Sequence, residues 1–282
     1  MTNSELLFQL KEILINANQN DKIANWILMS IYNLNNYLDL INVLPIEATK
    51  INECNQILDE YLMGKPLSRI LGNTNFYSNK FFVDEGVFCP RNETELLVDK
   101  LIEYINKLKI KYPIKLLDMC CGTGVIGISI KLHFLDSLDL TLVDINKNAC
   151  TNSEKNLQLH NINANVIHSD LFDNVSDKFD IIVCNPPYIS FKDDIGVVKK
   201  YDPLNALFAE NDGYLIYERI IHSYLNYINN NQNYLLAFEI GKGQEETIKN
   251  LLLLNDSNIN IDIIKDYNNI NRFIFVYKDN DI

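Results

Sequence analysis

The sequence predicts an α/β protein: a mostly parallel sheet ending in an antiparallel hairpin, with a small all-helical domain in front of it. Three observations carry this. From about residue 92 onward, short apolar runs alternate with stretches of helical periodicity. The run FDIIVC (179–184) is apolar throughout, as a strand buried on both faces is. The first 64 or so residues show helical periodicity alone.

SELLFQLKEILI (4–15) puts Leu6, Leu7, Leu10, Ile13 and Leu14 on one helical face, with Ser4 as the N-cap. ANWILMSIYNL (24–34) continues the pattern. INECNQILDEYLMGKP (51–66) spaces Ile51, Cys54, Ile57, Leu58, Tyr61 and Leu62 by threes and fours, then stops at Gly64 and Pro66. These stripes make a helical bundle core over 1–69. NFYSNKFFVDEGVFCP (75–90) changes to short aromatic and β-branched runs, which read as a β-hairpin linking two domains over 70–90.

The domain from 91 to 282 then alternates. A helix is expected over about 92–108, capped by Asn92 with Glu95 three residues on. Strand KLLDM (115–119) leads into CCGTG (120–124) and helix VIGISIKLHF (125–134). Strand LTLVD ends at Asp144, and a helix over about 146–159 precedes strand ANVIHSD, ending at Asp170. FDIIVC runs into NPPY (185–188). An irregular insertion (about 189–212), a helix from Gly213, strand YLLAFEI (234–240) and a helix (about 242–254) follow. NIDIIKDY and RFIFVYK close the chain as a hairpin that adds a reversed edge strand.

Composition narrows the partners. The net charge of -12 argues against a tight binder of nucleic-acid phosphates, which need Lys and Arg. No apolar run reaches the roughly 20 residues of a membrane span, and the N-terminus lacks a basic-then-apolar leader, so a cytoplasmic protein is expected. Six cysteines occur without a C-x-x-C pair and four histidines without ligand spacing, so no metal site is expected.

GTGVIG (122–127) is a G-x-G-x-x-G between a strand and a helix, and Asp144 ends the next strand, where it can accept from ribose hydroxyls. Together they signal an adenosine-containing cofactor without separating NAD from S-adenosylmethionine. Asp118 beside the loop favours the latter, which has no pyrophosphate. Asp170 is placed for an adenine amino group and Leu171 for the ring. In NPPY, Pro186 and Pro187 end the strand ladder because they have no N–H. The Asn185 side-chain oxygen and the Pro186 carbonyl become acceptors at the carboxyl end of the sheet, and Tyr188 adds a flat face. That set suits a planar NH2 group.

NPPY resembles the motif of amino-methyltransferases with a class I S-adenosylmethionine-dependent methyltransferase fold. A more specific resemblance runs through MGKPLSRILG (63–72), VFCPRNETELLV (87–98), LLDMCCGTGVIGI (116–128), CNPPYI (184–189), YDPLNALFAENDG (201–213) and FEIGKGQ (238–244). In that order they are similar to the HemK/PrmC family of protein-glutamine methyltransferases. The resemblance implies methylation of the glutamine amide in the Gly-Gly-Gln loop of class I peptide-chain release factors, by a monomer whose helical domain holds the release factor. It places S-adenosylmethionine over Cys120, Cys121, Gly122, Thr123 and Gly124, with Asp144, Asp170, Leu171 and Asn185. The glutamine falls on Asn185, Pro186, Pro187 and Tyr188, with Phe88 along its stem. Arg91, Glu93 and Glu95 read either as site residues or as an ion-pair and cap network. Cys120 stands where the family usually has glycine. The rival readings are an adenine-directed DNA or RNA amino-methyltransferase, a non-catalytic methyltransferase-like binding protein, and an NAD enzyme, which leaves NPPY unexplained.

Overall fold

The computed structural model describes residues 2–34, 39, 47–194, 196, 200–230 and 232–279. It divides into two compact units, Met1–Gly72 and Asn73–Ile282. No helix among the described residues is long and apolar enough to cross a membrane.

The first unit contains helices α1 (Asn3–Asn16), α2 (Lys22–Ile31), α3 (Ala48–Leu62) and α4 (Leu67–Leu71). Leu6, Leu10 and Leu14 recur every four residues and are buried with Ile23, Ala24, Ile27, Leu28, Cys54, Ile57 and Leu58. Ile13, expected on that face, is 43% exposed because it falls off the i, i+4 line. The N-cap is Thr2 rather than Ser4. Its hydroxyl accepts from Glu5 N–H (3.2 Å) while Glu5 accepts from Thr2 N–H (2.8 Å), a full capping box. Glu5 selects the cap, because only Thr2 lies three residues before it.

The second unit opens with hairpin β1 (Asn73–Phe76) and β2 (Asn79–Phe82), followed by α5 (Thr94–Lys107). Then come β3 (Ile114–Met119), α6 (Val125–Phe134), β4 (Leu138–Asp144), α7 (Lys147–Leu159), β5 (Asn165–His168) and β6 (Ile181–Cys184). A small parallel pair, β7 (Ile189–Ser190) and β8 (Phe208–Ala209), encloses α8 (Leu204–Leu207). The chain ends with α9 (Leu215–Ser223), β9 (Tyr234–Glu239), α10 (Glu245–Asn255), β10 (Asn260–Lys265) and β11 (Asn271–Lys278).

Among the described residues the main sheet has the order β10-β11-β9-β6-β3-β4-β5. The pairs from β9 to β5 are parallel, and β11 is antiparallel to both its neighbours. The reversed strand is therefore not the edge strand the sequence suggests. β11 inserts between β9 and β10, and the edge strand β10 runs with the rest. Burial explains the choice: Phe273, Ile274, Phe275 and Val276 are all buried, whereas β10 is only partly buried and has exposed ends.

Alternation along the strands feeds two cores, one on each face. Leu116, Ile181, Val183, Leu235 and Ala237 pack with α5 and α6 residues such as Leu97, Leu101, Ile126 and Ile128. Leu117, Met119, Ile182, Cys184, Leu236 and Phe238 pack with Tyr217, Ile220, Ile248 and Leu252 of α9 and α10. The order of strand connections reverses between β3 and β6, so the crevice beyond their carboxyl ends is where this architecture binds ligands. The two motifs lie there side by side, since Met119 pairs with Cys184.

Candidate active site

The loop after β3 is shaped by its backbone. Cys120, Gly122 and Gly124 have φ of 57°, 56° and 77°. Gly122 lines the cavity, and no atom lies within 4 Å of where a Cβ would stand, so its backbone is bare toward a ligand. Gly124 caps α6 rather than lining the cavity. Cys120 adopts the left-handed conformation that the usual glycine would take freely, so this position does require positive φ and the cysteine bears the strain. Neighbours fix the loop carbonyls. Ser153 Oγ donates to Gly122 O (3.0 Å) and Asn156 Nδ2 to Thr123 O (2.9 Å). Asn156 also ties down the hairpin: its Oδ1 accepts from Phe82 N–H (2.7 Å) and its Nδ2 donates to Phe82 O (3.1 Å).

Two carboxylates stand under this loop. Asp144 Oδ2 accepts from Gly122 N–H and Oδ1 from Asn146 N–H, both at 2.8 Å. Burial raises its pKa and those two bonds oppose the rise. Asp118 Oδ2 accepts from Gly127 N–H (2.8 Å), while Oδ1 has no partner among the described residues. Burial pushes the Asp118 carboxyl up to about 7, against the Gly127 bond and helped by the charge of Asp144.

The loop after β6 is shaped by side chains from elsewhere. β6 stops at Cys184, and Asn185, Pro186, Pro187 and Tyr188 all line the same cavity. The Tyr188 carbonyl accepts from Gln244 Nε2 (3.0 Å), and Gln244 Oε1 accepts from Gly241 N–H (2.9 Å). Gly213 is needed here: a Cβ would lie 2.2 Å from the Tyr188 oxygen. Burial raises the Tyr188 phenol to about 12, so it is protonated at neutral pH. Behind Asn185, one place beyond the Cys184–Phe238 pair, stands the Glu239 carboxylate, which accepts from Thr94 Oγ1 (2.7 Å) and whose charged form the Asn185 amide favours.

The P-R-x-E-T-E segment forms the opposite wall. Arg91 Nη2 donates to Asp202 Oδ2 (2.5 Å), and Asp202 Oδ1 accepts from Cys89 N–H (3.1 Å). The Arg91 guanidinium also lies over the Phe88 ring, 4.7 Å from its centroid. Asn92 does not cap α5. Glu93 holds that position, and the Glu95 side chain is drawn instead to Tyr77 N–H in the hairpin (2.9 Å). Arg91 and Glu95 thus both make bracing contacts, to Asp202 and to the hairpin, and Glu93 takes the N-cap position of α5.

The result is one cavity of about 450 Å3, lined by Phe88, Cys120, Cys121, Gly122, Thr123, Asp144, Asp170, Leu171 and the four NPPY residues. Asp170 is paired with Arg219 Nη1 (2.9 Å), which also lines the cavity, as does Thr94. The sequence reading missed Arg219, Thr94, Glu239, Asp202 and Gln244. VFCPRNETELLV, FEIGKGQ and YDPLNALFAENDG did mark the last four, as motif residues without an assigned role.

Residues 78–215 match the family model described as "Methyltransferase small domain". The chain is 34% identical to a release factor glutamine methyltransferase of Mycoplasma mycoides over 85% of this chain and 86% of the relative. It is 31% identical to one of Streptococcus pneumoniae over 97% of both.

The chain belongs to the release factor glutamine methyltransferase family.

Membership makes it an enzyme that transfers methyl groups. The fold agrees: the T. thermophilus 16S rRNA N2 G1207 methyltransferase, solved with AdoMet and guanosine, superposes with a TM-score of 0.50 at 15% identity. That match covers 73% of this chain and 49% of the other, and it speaks for the fold alone. The family's glycine loop and NPPY motif are the two walls that meet at β3 and β6.

Proposed function

We propose that this chain transfers a methyl group from S-adenosyl-L-methionine to the side-chain amide nitrogen of the glutamine in the Gly-Gly-Gln motif of class I peptide-chain release factors. The observation that carries this is the adjacency of the two motifs. Met119 and Cys184 are paired neighbours, so the glycine loop and NPPY open from adjacent strand ends onto one cavity.

The residues fit the cofactor. Gly122 presents bare backbone, and each Asp144 oxygen keeps a lone pair beyond its one N–H partner for ribose hydroxyls. Asp170 and Leu171 line the adenine side. When bound, the cofactor supplies a methyl group on sulfonium, already activated for displacement. The protein's share is alignment. The Asn185 side-chain oxygen and the Pro186 carbonyl accept the two amide N–H groups and turn the nitrogen lone pair toward the donor. These acceptors bind more strongly as the nitrogen gains positive character in the transition state. Tyr188 and Phe88 flank the glutamine, and Arg91 holds Phe88 from behind. The helical unit supplies a further surface for the release factor.

The test offers labelled S-adenosylmethionine with a release factor, the same factor with Gln of the motif changed to Ala, and DNA. Label is expected on the first alone. Label on DNA, or equal label on the Ala variant, refutes the reading.

A further inference from the structure

We propose that Glu239 is a positioning residue for this reaction: its carboxylate takes the Asn185 side-chain NH2 and so turns the Asn185 oxygen into the cavity. The proposal rests on the functional reading above and deepens it.

An asparagine amide has two ends of nearly equal shape, and only one can serve here. With its NH2 toward the substrate it would set donors against donors. Something must decide the orientation. Glu239 ends β9, the strand beside β6, with Cys184 paired to Phe238. It is 3% exposed and does not line the cavity. It therefore acts on substrate through the lining residues beside it, Asn185 and Thr94, of which Asn185 carries the acceptor. An ionised carboxylate can only accept, so it fixes the polarity of its neighbours: Thr94 donates to it (2.7 Å), and Asn185, which follows the Cys184–Phe238 pair at the adjacent strand end, must turn its NH2 toward it.

The groups around it are few. Thr94 and Glu93 face it from α5, and Arg272 from β11, with Nη1 on Ile240 O (3.1 Å) and Nε on Asp266 (3.2 Å). Tyr188 faces it from the NPPY loop, and Tyr217 of α9 donates to the Glu239 backbone carbonyl (2.7 Å). Burial pushes the Glu239 carboxyl up to about 7, against the pull of Thr94, Arg272 and Asn185. Protonation makes one oxygen a donor. Asn185 then loses its fixed acceptor and its amide turns. Because the ionised form is the working one, activity rises with pH through about 7.

The experiment measures kcat and KM for release-factor methylation from pH 5.5 to 9 in wild type, Glu239→Gln and Thr94→Ala. It also follows the Asn185 side-chain NH2 by 15N NMR. Wild-type kcat should inflect near 7, with an NH2 shift of the same midpoint. Glu239→Gln should lower the plateau about tenfold or more, abolish both inflections, and leave KM for S-adenosylmethionine within about twofold. Thr94→Ala removes a bond that favours the ionised form, so its inflection should move up. A wild-type plateau or an unmoved inflection in Glu239→Gln overturns the proposal. If that variant does not fold, an unmoved inflection in Thr94→Ala overturns it. If wild type methylates no release factor, the functional reading falls, and the NH2 titration alone decides whether Glu239 governs Asn185.

Discussion

The loops after β3 and β6 face each other across one cavity, but they are held in place differently. The first is set largely by its own backbone, with left-handed residues at 120, 122 and 124, and its carbonyls are tied to two side chains of α7. The second has no such internal device. Two prolines end its strand, and its posture comes from Glu239, Gln244, Thr94 and Gly213, which lie 91 residues before Asn185 to 59 after it. A loop that must cradle a cofactor of fixed shape can be prebuilt from backbone. A loop that must aim an amide needs side chains of defined donor and acceptor sense, and the fold has to bring those from several strands and helices.

The largest effect should come from breaking the second loop at its tip. Asn185→Ala removes the acceptor that strengthens in the transition state, so single-turnover methylation should fall by about 100-fold or more. The first loop is untouched, so S-adenosylmethionine binding, read by calorimetry, should weaken and stay detectable. Equal losses in both would mean the two loops are one unit, and unimpaired methylation would remove Asn185 from the mechanism.

The next effect tests the wall that carries Phe88. Asp202 is buried, its side chain 0% exposed, and Arg91 pairs with it. Arg91→Met withdraws the guanidinium from a buried carboxylate, a change that costs about 3 kcal/mol. Urea unfolding should record it, and adding Asp202→Asn should restore part of the loss, since the charge needing a partner is then gone. A single variant as stable as wild type would show the brace to be idle.

The same contrast explains what the sequence disclosed. The first loop is local: its glycines, strand and helix lie within twenty residues, and Asp144 ends the next strand, so pattern and spacing suffice. NPPY was legible as an interrupted strand, but its supports were not. Glu239 sits inside an apolar run, where a carboxylate reveals nothing until β9 is placed beside β6. Asn152 and Asn156, which anchor the hairpin through Phe82, were hidden among many other asparagines. Competition defeated two local readings. Glu95 could have closed a capping box with Asn92 but accepts instead from Tyr77 N–H, a partner 18 residues away. The hairpin's antiparallel pairing was evident, whereas which strand takes the edge depended on how much apolar surface each had to bury.

The smallest effect concerns Cys120, the residue that departs from the family's usual glycine. Its φ of 57° costs a non-glycine residue about 1–2 kcal/mol. Cys120→Gly removes that strain. It also gives the unfolded chain more freedom, worth about 0.5–1 kcal/mol in the other direction, and gives up the packing of the thiol against the core that includes Cys184. The net gain should be about 0.5 kcal/mol in urea unfolding, with cofactor affinity unchanged. Cys120→Ala keeps the strain and loses the thiol, so it should be less stable than wild type. The order Gly, Cys, Ala therefore identifies backbone strain as the controlling term in the first loop. If Cys is the most stable of the three, thiol packing holds this loop as well, and the contrast with the loop after β6 narrows to one of degree.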